Sequence, residues 1–153
     1  MNYLKIKKTK TLNIVSSMLV IFLMMGCSIR IIAPYDSVTD EKIAELQVET
    51  ITKLIEWERT NPVPPLKDEY AFYDNAETVV AILIARNKDV KKSENINDQL
   101  TLIQENFTTL KKAHKTNLLS PDVIKQIQGD FMAQFNAVQK FQMALKRYEE
   151  KNK

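Results

Sequence analysis

Apolar residues recur at alternating steps of four and three residues in the middle of the chain, and this spacing places side chains on one face of an α-helix. The seam is clearest between residues 93 and 117, where it comprises Ile96, Leu100, Ile103, Phe107, Leu110 and His114. Ser93 or Asn95 can begin this helix, and Asn117 can end it in the left-handed conformation that asparagine tolerates. The pattern predicts a helix that packs on its neighbours along one side.

A second periodic segment begins at Ser37 or Thr39, both of which are helix-capping residues. It ends at Asn61, because the prolines that follow push the preceding residue out of helical geometry. Its predicted apolar face comprises Ile43, Leu46, Ile51, Leu54 and Trp57, with Val48 and Ile55 at the edge.

The last periodic segment starts with Ser120 as the cap and Pro121 at the first helical position. At roughly 28 residues it would extend about 42 Å, further than the others, so its charged end at residues 146–151 is expected to project beyond the bundle. Its predicted inner side comprises Ile124, Ile127, Phe131, Phe135, Val138, Phe141 or Gln142, Leu145 and Tyr148.

Residues 79–85 form an apolar, partly β-branched run that is compatible with either a strand or a helix. We favour a helix from about Asp68 to Arg86, because a single strand would have no partner elsewhere in the chain. Four amphipathic helices with short connections predict an all-α fold, an antiparallel four-helix bundle over residues 37–153.

The first 26 residues have the layout of a cleaved signal peptide. Met1–Lys10 contains four lysines and no acidic residue, and Leu12–Met25 is apolar except for one asparagine and two serines. As a helix, this apolar stretch would extend about 21 Å, which is short of a hydrocarbon core about 30 Å thick. We therefore expect residues 1–26 to be removed rather than to span a membrane.

That stretch ends in Leu23-Met24-Met25-Gly26-Cys27, which resembles a bacterial lipobox, where a small residue precedes a cysteine that receives diacylglycerol. Gly26 and Cys27 match the motif, whereas Met24 stands where leucine is usual. The resemblance implies cleavage between Gly26 and Cys27 and fatty acids such as palmitate on Cys27, which would anchor the protein stably. The alternative is a conventional signal peptide before a free thiol, but no pair of small residues forms such a cleavage site nearby.

Residues 27–36 are predicted to be a short membrane tether. Fully extended, Ser28–Asp36 spans at most about 30 Å, so the bundle should lie close to its membrane. Gram-negative lipoproteins kept on the inner membrane commonly have aspartate directly after the cysteine, where this chain has Ser28. The resemblance therefore implies the periplasmic face of the outer membrane if the host is Gram-negative.

Charge and glycine content exclude several classes of function. From Cys27 onwards, 18 basic residues are balanced by 19 acidic ones, which argues against nucleic acid as a partner. Gly129 is the only glycine in that part of the sequence. Phosphate-binding loops and dinucleotide-binding fingerprints need several glycines, so neither motif can form there.

The single histidine, His114, is interpreted as a residue at the edge of the core near a helix C-terminus. A di-iron bundle needs Glu-x-x-His on two helices, and one histidine cannot supply both. A catalytic Ser-His-acid site is also disfavoured, because Ser37, Ser93 and Ser120 already have capping roles. We therefore expect no enzymatic activity, no metal and no cofactor.

Trp57, Tyr70, Phe72 and Tyr73 are expected to gather near the loop formed by residues 62–65. Core packing is the main interpretation of this aromatic group. The alternative is that the four residues form a partner surface or a small apolar pocket at that end of the bundle.

Residues 33–41, with the sequence APYDSVTDE, resemble the Tyr-Asp-x-x-Thr-Asp segment that follows the lipid-bearing cysteine in a group of uncharacterised small bacterial lipoproteins. Phe72-Tyr73-Asp74 is similar to the middle of those proteins, and residues 110–147 resemble their C-terminal helical pair. The resemblance covers most of the chain after Cys27 and implies a helical periplasmic lipoprotein. It assigns no catalytic residue.

Our leading hypothesis from the sequence is a lipid-anchored, non-enzymatic helical protein that acts by contact with another envelope protein. One alternative is a helical bundle that binds a small molecule or a lipid. Another is an immunity or exclusion lipoprotein of a mobile element, which protects its host against a toxin or a second invader.

Replacing Cys27 with alanine should abolish labelling by an alkyne fatty acid and leave an unprocessed precursor that is longer by residues 1–26. The reason is that the sulfur of Cys27 is the predicted attachment point and lipid addition precedes cleavage. Gel mobility and fluorescence after click chemistry measure both effects. Wild-type protein that takes up no fatty acid, or that is released freely from the membrane, would contradict the expectation.

Overall fold

The structure is a computed structural model that describes residues 33–60 and 62–152. In these ranges the chain forms a short 3-10 turn, Leu66–Glu69, and four α-helices: α1 (Ser37–Arg59), α2 (Tyr70–Lys88), α3 (Glu94–Lys115) and α4 (Pro121–Lys151). The described residues contain no strand, so the run at 79–85 is helical and the all-α prediction is confirmed. The predicted signal peptide, the cleavage site and residues 27–32 of the tether lie outside the described residues.

The helices pack in an antiparallel arrangement, as predicted. Successive residues along α1 contact progressively earlier residues of α4, in the pairs Asp36–Gln142, Gln47–Gln139 and Glu58–Lys125. Helix α1 packs most extensively on α4, α4 packs on α3, and α3 packs on α2. The contacts between α1 and α2 are the sparsest of the four neighbouring pairs. The bundle is therefore closed along three seams and open along the fourth.

The core lies where the sequence periodicity predicts it. The residues that α3 buries are the six of its predicted seam, from Ile96 to His114. At mid-height, the Phe107 ring lies 4.7 Å from the Phe131 ring of α4, which stacks in turn on Phe135. Aromatic contacts of this kind add roughly 0.5–1.5 kcal/mol to the burial of the rings themselves.

Some side chains depart from the predicted inner faces. Val48 is 68% exposed, because it lies two residues from the buried Leu46 and Thr50, and residues two apart point to opposite sides of a helix. In α4, Gln142 is fully buried whereas Tyr148 is exposed. The Gln142 side chain is held inside because its oxygen accepts a hydrogen bond from the backbone N–H of Asp36.

The residue that caps α1 is Asp36, which corrects the prediction of Ser37 or Thr39. One oxygen of Asp36 accepts from the backbone N–H of Val38 at 3.1 Å, and the other accepts from the Thr39 hydroxyl at 2.8 Å. The guanidinium of Arg86, at the end of α2, donates to both oxygens at 2.8 and 3.2 Å. The carboxylate thus joins the start of α1 to the end of α2.

Residues 33–36, predicted as the end of the tether, belong to the bundle. Ala33 is buried, and the backbone N–H of Tyr35 donates to the Glu149 carboxylate at 3.1 Å. The ammonium group of Lys146 lies 5.7 Å from the centre of the Tyr35 ring. The charged end of α4, which was expected to project beyond the bundle, therefore contacts the N-terminal segment through Lys146 and Glu149.

The connection between α3 and α4 follows its sequence signals. Asn117 has a φ of 54°, and the N–H groups of Asn117 and Leu118 donate to the carbonyls of His114 and Ala113 at 3.1 and 2.9 Å. This pair of bonds is the Schellman arrangement that ends many helices. The Ser120 hydroxyl then accepts from a backbone N–H in the first turn of α4, as predicted.

The connection between α2 and α3 uses polar side chains differently from the prediction. Ser93 precedes α3, but its hydroxyl donates to the carbonyl of Asn87 and makes no capping bond. The buried amide of Asn87 donates to Thr39 of α1 at 3.1 Å and to the carbonyl of Leu83 at 2.9 Å. This end of the bundle is therefore held by side-chain hydrogen bonds that reach across three helices.

The Asp36→Asn variant should lose roughly 1 kcal/mol of unfolding free energy at neutral pH, because asparagine can still cap α1 but cannot pair as a charge with Arg86. Partial burial raises the pKa of Asp36, but hydrogen bonds from Arg86, Thr39 and Val38 outweigh it and hold the pKa below its usual 3.8. The stabilisation is therefore present above pH 3.8 and is lost as the pH falls through the lower folded pKa.

Urea unfolding of both proteins between pH 2 and 7 measures this difference. The two stabilities should converge at the acidic end of the range. Asp89→Asn serves as the control. Because Asp89 is exposed, this change should alter the free energy of unfolding by no more than about 0.5 kcal/mol relative to wild type. A difference between wild type and Asp36→Asn that does not depend on pH would contradict the assignment.

Candidate functional site

Three of the four aromatic residues singled out from the sequence form one buried cluster. The Trp57 ring lies 5.6 Å from Phe72 and 6.1 Å from Tyr73, and it meets the His114 ring edge-on at 4.8 Å. Trp57, Phe72, Tyr73 and His114 are all buried, whereas Tyr70 is 49% exposed. The cluster packs α1, α2 and α3 together at the end of the bundle that carries the proline loop.

The His114 ring is held by hydrogen bonds at both nitrogens. Its Nε2 lies 2.6 Å from the carbonyl oxygen of Pro64, and its Nδ1 lies 3.0 Å from the hydroxyl of Tyr73. A carbonyl oxygen can only accept, so Nε2 carries the hydrogen, and in the tautomer with no hydrogen on Nδ1 this nitrogen accepts from Tyr73. Burial raises the pKa of Tyr73, and the nearby carboxylates of Glu69 and Glu77 raise it further. The hydroxyl therefore stays protonated and available as a donor.

A buried carboxylate completes this end of the core. Glu69 accepts from the indole N–H of Trp57 at 3.3 Å and forms an ion pair with Lys53 at 3.3 Å. Burying an unpaired carboxylate would cost several kcal/mol, so both partners are needed to keep Glu69 inside. These contacts give each polar group of the cluster a structural partner.

Core packing, the main interpretation of the aromatic group, holds for Trp57, Phe72 and Tyr73, and their burial speaks against the alternative of a partner surface formed by these three. Their rings are covered, because the helices close over them and their polar atoms are satisfied internally. A hollow of about 240 Å³ lies beside them, lined by Pro62, Val63, His114, Asn117 and Leu119. It is smaller than the roughly 300 Å³ at which ligand pockets usually begin.

A larger hollow lies along the open seam between α1 and α2. It has a volume of about 340 Å³. Its lining comprises Val38, Lys42, Glu45, Leu46 and Glu49 from α1, and Asn75, Val79, Ile82 and Leu83 from α2. We call this hollow the α1–α2 groove. Leu46 and Leu83 are buried at its floor, whereas Val38 and Ile82 are exposed at its walls.

Polar contacts bridge the seam near both ends of the groove. At one end, Asp36 is bonded to Arg86. At the other end, the side-chain amide of Asn75 donates to the Glu49 carboxylate at 2.8 Å. These two bridges hold α1 and α2 at a fixed spacing while the apolar walls between them stay uncovered.

The groove was not predicted from the sequence, although the sequence carries a signal for it. The eight residues between Glu77 and Arg86 include no charged residue, so α2 is apolar around most of its circumference there. A helix that is apolar on all sides is normally covered on all sides. In the structure Val80 and Leu83 are buried, but Ile82 is 60% exposed.

Cys27 and Gly26, the predicted lipid-attachment and cleavage residues, lie outside the described residues. Within residues 33–60 and 62–152, no group of three or more His, Cys, Asp or Glu side chains is arranged to hold a metal ion. None of the helices in these ranges has both the length and the apolar character needed to cross a membrane.

Comparison with models of protein families, with curated proteins and with solved structures finds no match to this chain.

Tyr73→Phe should lower the free energy of unfolding by about 1–3 kcal/mol, because the buried Nδ1 of His114 would lose its donor. Denaturant unfolding measures the change. Tyr70→Phe is the matched control in the same helix, and its half-exposed ring should leave stability within about 0.5 kcal/mol of wild type. Equal stabilities for wild type and Tyr73→Phe would show that this hydrogen bond does not hold the cluster together.

Proposed function

We propose that this protein is a lipid-anchored, non-enzymatic helical lipoprotein of the bacterial envelope that acts by contact with a partner protein. The partner would bind at the α1–α2 groove. The anchor would be lipid on Cys27 and, in a Gram-negative host, the membrane would be the outer membrane at its periplasmic face.

The observation that carries the proposal is the open seam in an otherwise closed bundle. Contiguous apolar surface bordered by polar residues is typical of sites for protein contact. Val38, Val79 and Ile82 supply the apolar part, and Lys42, Glu45, Glu49 and Asn75 supply the polar border. Burying the exposed part of a side chain such as Ile82 would contribute about 1–2 kcal/mol to binding.

The packing of residues 33–36 supports action close to a membrane. Tyr35 and Asp36 are fixed to α4 and α2, so these two residues would not be part of a tether that starts at Cys27. A tether from Cys27 to Ala33 would span about 20 Å when fully extended. Lipid on Cys27 would therefore keep the end of the bundle that carries Asp36 near the bilayer surface, together with the end of the groove that starts at Val38.

A second candidate function is the binding of a small molecule or lipid. The volume of the groove, about 340 Å³, favours it, because this exceeds the roughly 300 Å³ of small ligand pockets. The groove is open to solvent, however. Its lining includes none of the aromatic residues on which the pocket alternative rests in the sequence. We therefore place protein contact first.

In intact cells, formaldehyde crosslinking of the full-length tagged protein should recover a reproducible envelope partner, identified by mass spectrometry. Ile82→Glu should reduce recovery at least about tenfold, because a charge on the groove wall would have to be desolvated on binding. Met143→Glu is the control, since Met143 is 49% exposed on α4, away from the groove. Equal recovery from both variants, or a protein that keeps its biological effect without any crosslinked partner, would reject the proposal.

A further inference from the structure

The walls of the α1–α2 groove have the register of helix packing. Apart from Leu46 and Leu83 at the floor, its wall residues on α1 follow one another at steps of four, three and four: Val38, Lys42, Glu45 and Glu49. Those on α2 follow at steps of four and three: Asn75, Val79 and Ile82. Both sets keep to one face of their helix, and together they form two parallel ridges with a trough between them.

The length of the trough matches that of a short helical segment. From Val38 to Glu49 the wall extends eleven residues, or about 16 Å at 1.5 Å per residue. This is the length of three turns of an α-helix. The trough is present while the bridges Asp36–Arg86 and Glu49–Asn75 are formed, so a bound helix would not first have to separate α1 from α2.

The charges on the α1 wall favour a basic partner. Lys42 forms an ion pair with Glu45, and the two charges offset each other. In the part of the chain that the structure describes, Glu49 is paired with the neutral amide of Asn75 and with no lysine or arginine. The wall therefore keeps one uncompensated negative charge at the end of the groove furthest from Asp36.

We propose that the α1–α2 groove binds an amphipathic helix of the partner protein. The helix carries an apolar stripe that lies between Val38 and Ile82 and a lysine or arginine that pairs with Glu49. This inference rests on the proposed function, because it specifies the chemistry of the partner at the same site. It follows from the register of the walls, the length of the trough and the charge at Glu49.

A photo-reactive benzophenone amino acid at position 82 of the full-length protein tests the inference in intact cells. Irradiation should produce one dominant adduct, and sequencing should place the crosslink in a helical segment with apolar residues at three- and four-residue spacing and a lysine or arginine at its edge. The same amino acid at position 143 is the control and should not produce this adduct.

The charge is tested by adding Glu49→Gln to the protein that carries the photo-reactive group. The yield of the adduct should fall about 2- to 5-fold, which is the range expected for an exposed ion pair. Glu41→Gln removes a carboxylate from an exposed position on the same helix and should leave the yield unchanged.

Several results would overturn the inference. These are an adduct to a second copy of this chain, an adduct to phospholipid, a crosslinked segment without basic residues, and no adduct at position 82 when formaldehyde still recovers a partner. In each of the last two cases the protein-contact proposal would survive and only the chemistry of the partner would be wrong. Failure to recover any partner by formaldehyde would instead reject the proposed function.

Discussion

The contacts of Asp36, among them its ion pair with Arg86, fix the point at which three helices of this bundle meet. The carboxylate of Asp36 caps α1 and accepts a hydrogen bond from the Thr39 hydroxyl. It also accepts two hydrogen bonds from Arg86 at the end of α2. The backbone N–H of the same residue donates to Gln142 of α4. Three helices therefore meet at Asp36, and its position sets both where the N-terminal segment lies and how far α1 stands from α2.

That spacing explains why the bundle has a groove at all. A four-helix bundle could close symmetrically and bury Val79 and Ile82 against α1. Instead, α1 packs mainly on α4, and polar bridges join α1 to α2 near the two ends of the seam. Leaving Ile82 largely exposed forgoes roughly 1–2 kcal/mol of burial, which is comparable to the worth of one good polar bridge. One polar bridge can therefore offset the free energy lost by leaving the seam exposed. A partner that covers the seam would bury this apolar surface.

At the opposite end of the bundle, a residue type that often takes part in catalysis has a structural role. His114 is the single histidine of the chain and so an obvious candidate for catalysis. Both of its ring nitrogens form hydrogen bonds, however, one with the hydroxyl of Tyr73 and one with the loop carbonyl of Pro64. Its ring packs edge-on against Trp57. The histidine thus closes the proline loop onto the core, and Glu69 with Lys53 does the same for the start of α2.

The sequence by itself determined the helices and most of the core. Periodicity marked every buried position of α3, and local signals marked the turn at Asn117 and the cap at Ser120, because these depend on residues close together in the chain. The sequence also indicated that Trp57, Phe72 and Tyr73 lie together near the proline loop. Their burial, however, depends on α3 covering them.

Only the tertiary structure decided where the long-range polar contacts form. The pairing of Asp36 with Arg86, the buried amides of Asn87 and Gln142, and the groove between α1 and α2 all depend on partners at least 26 residues away in the chain. Hydrophobic periodicity reports which face of a helix is apolar, but it does not report which neighbour covers that face or how closely. The exposed side of residues 79–85 is the clearest case, since its apolar pattern predicts burial and the packing of α1 on α4 leaves it open.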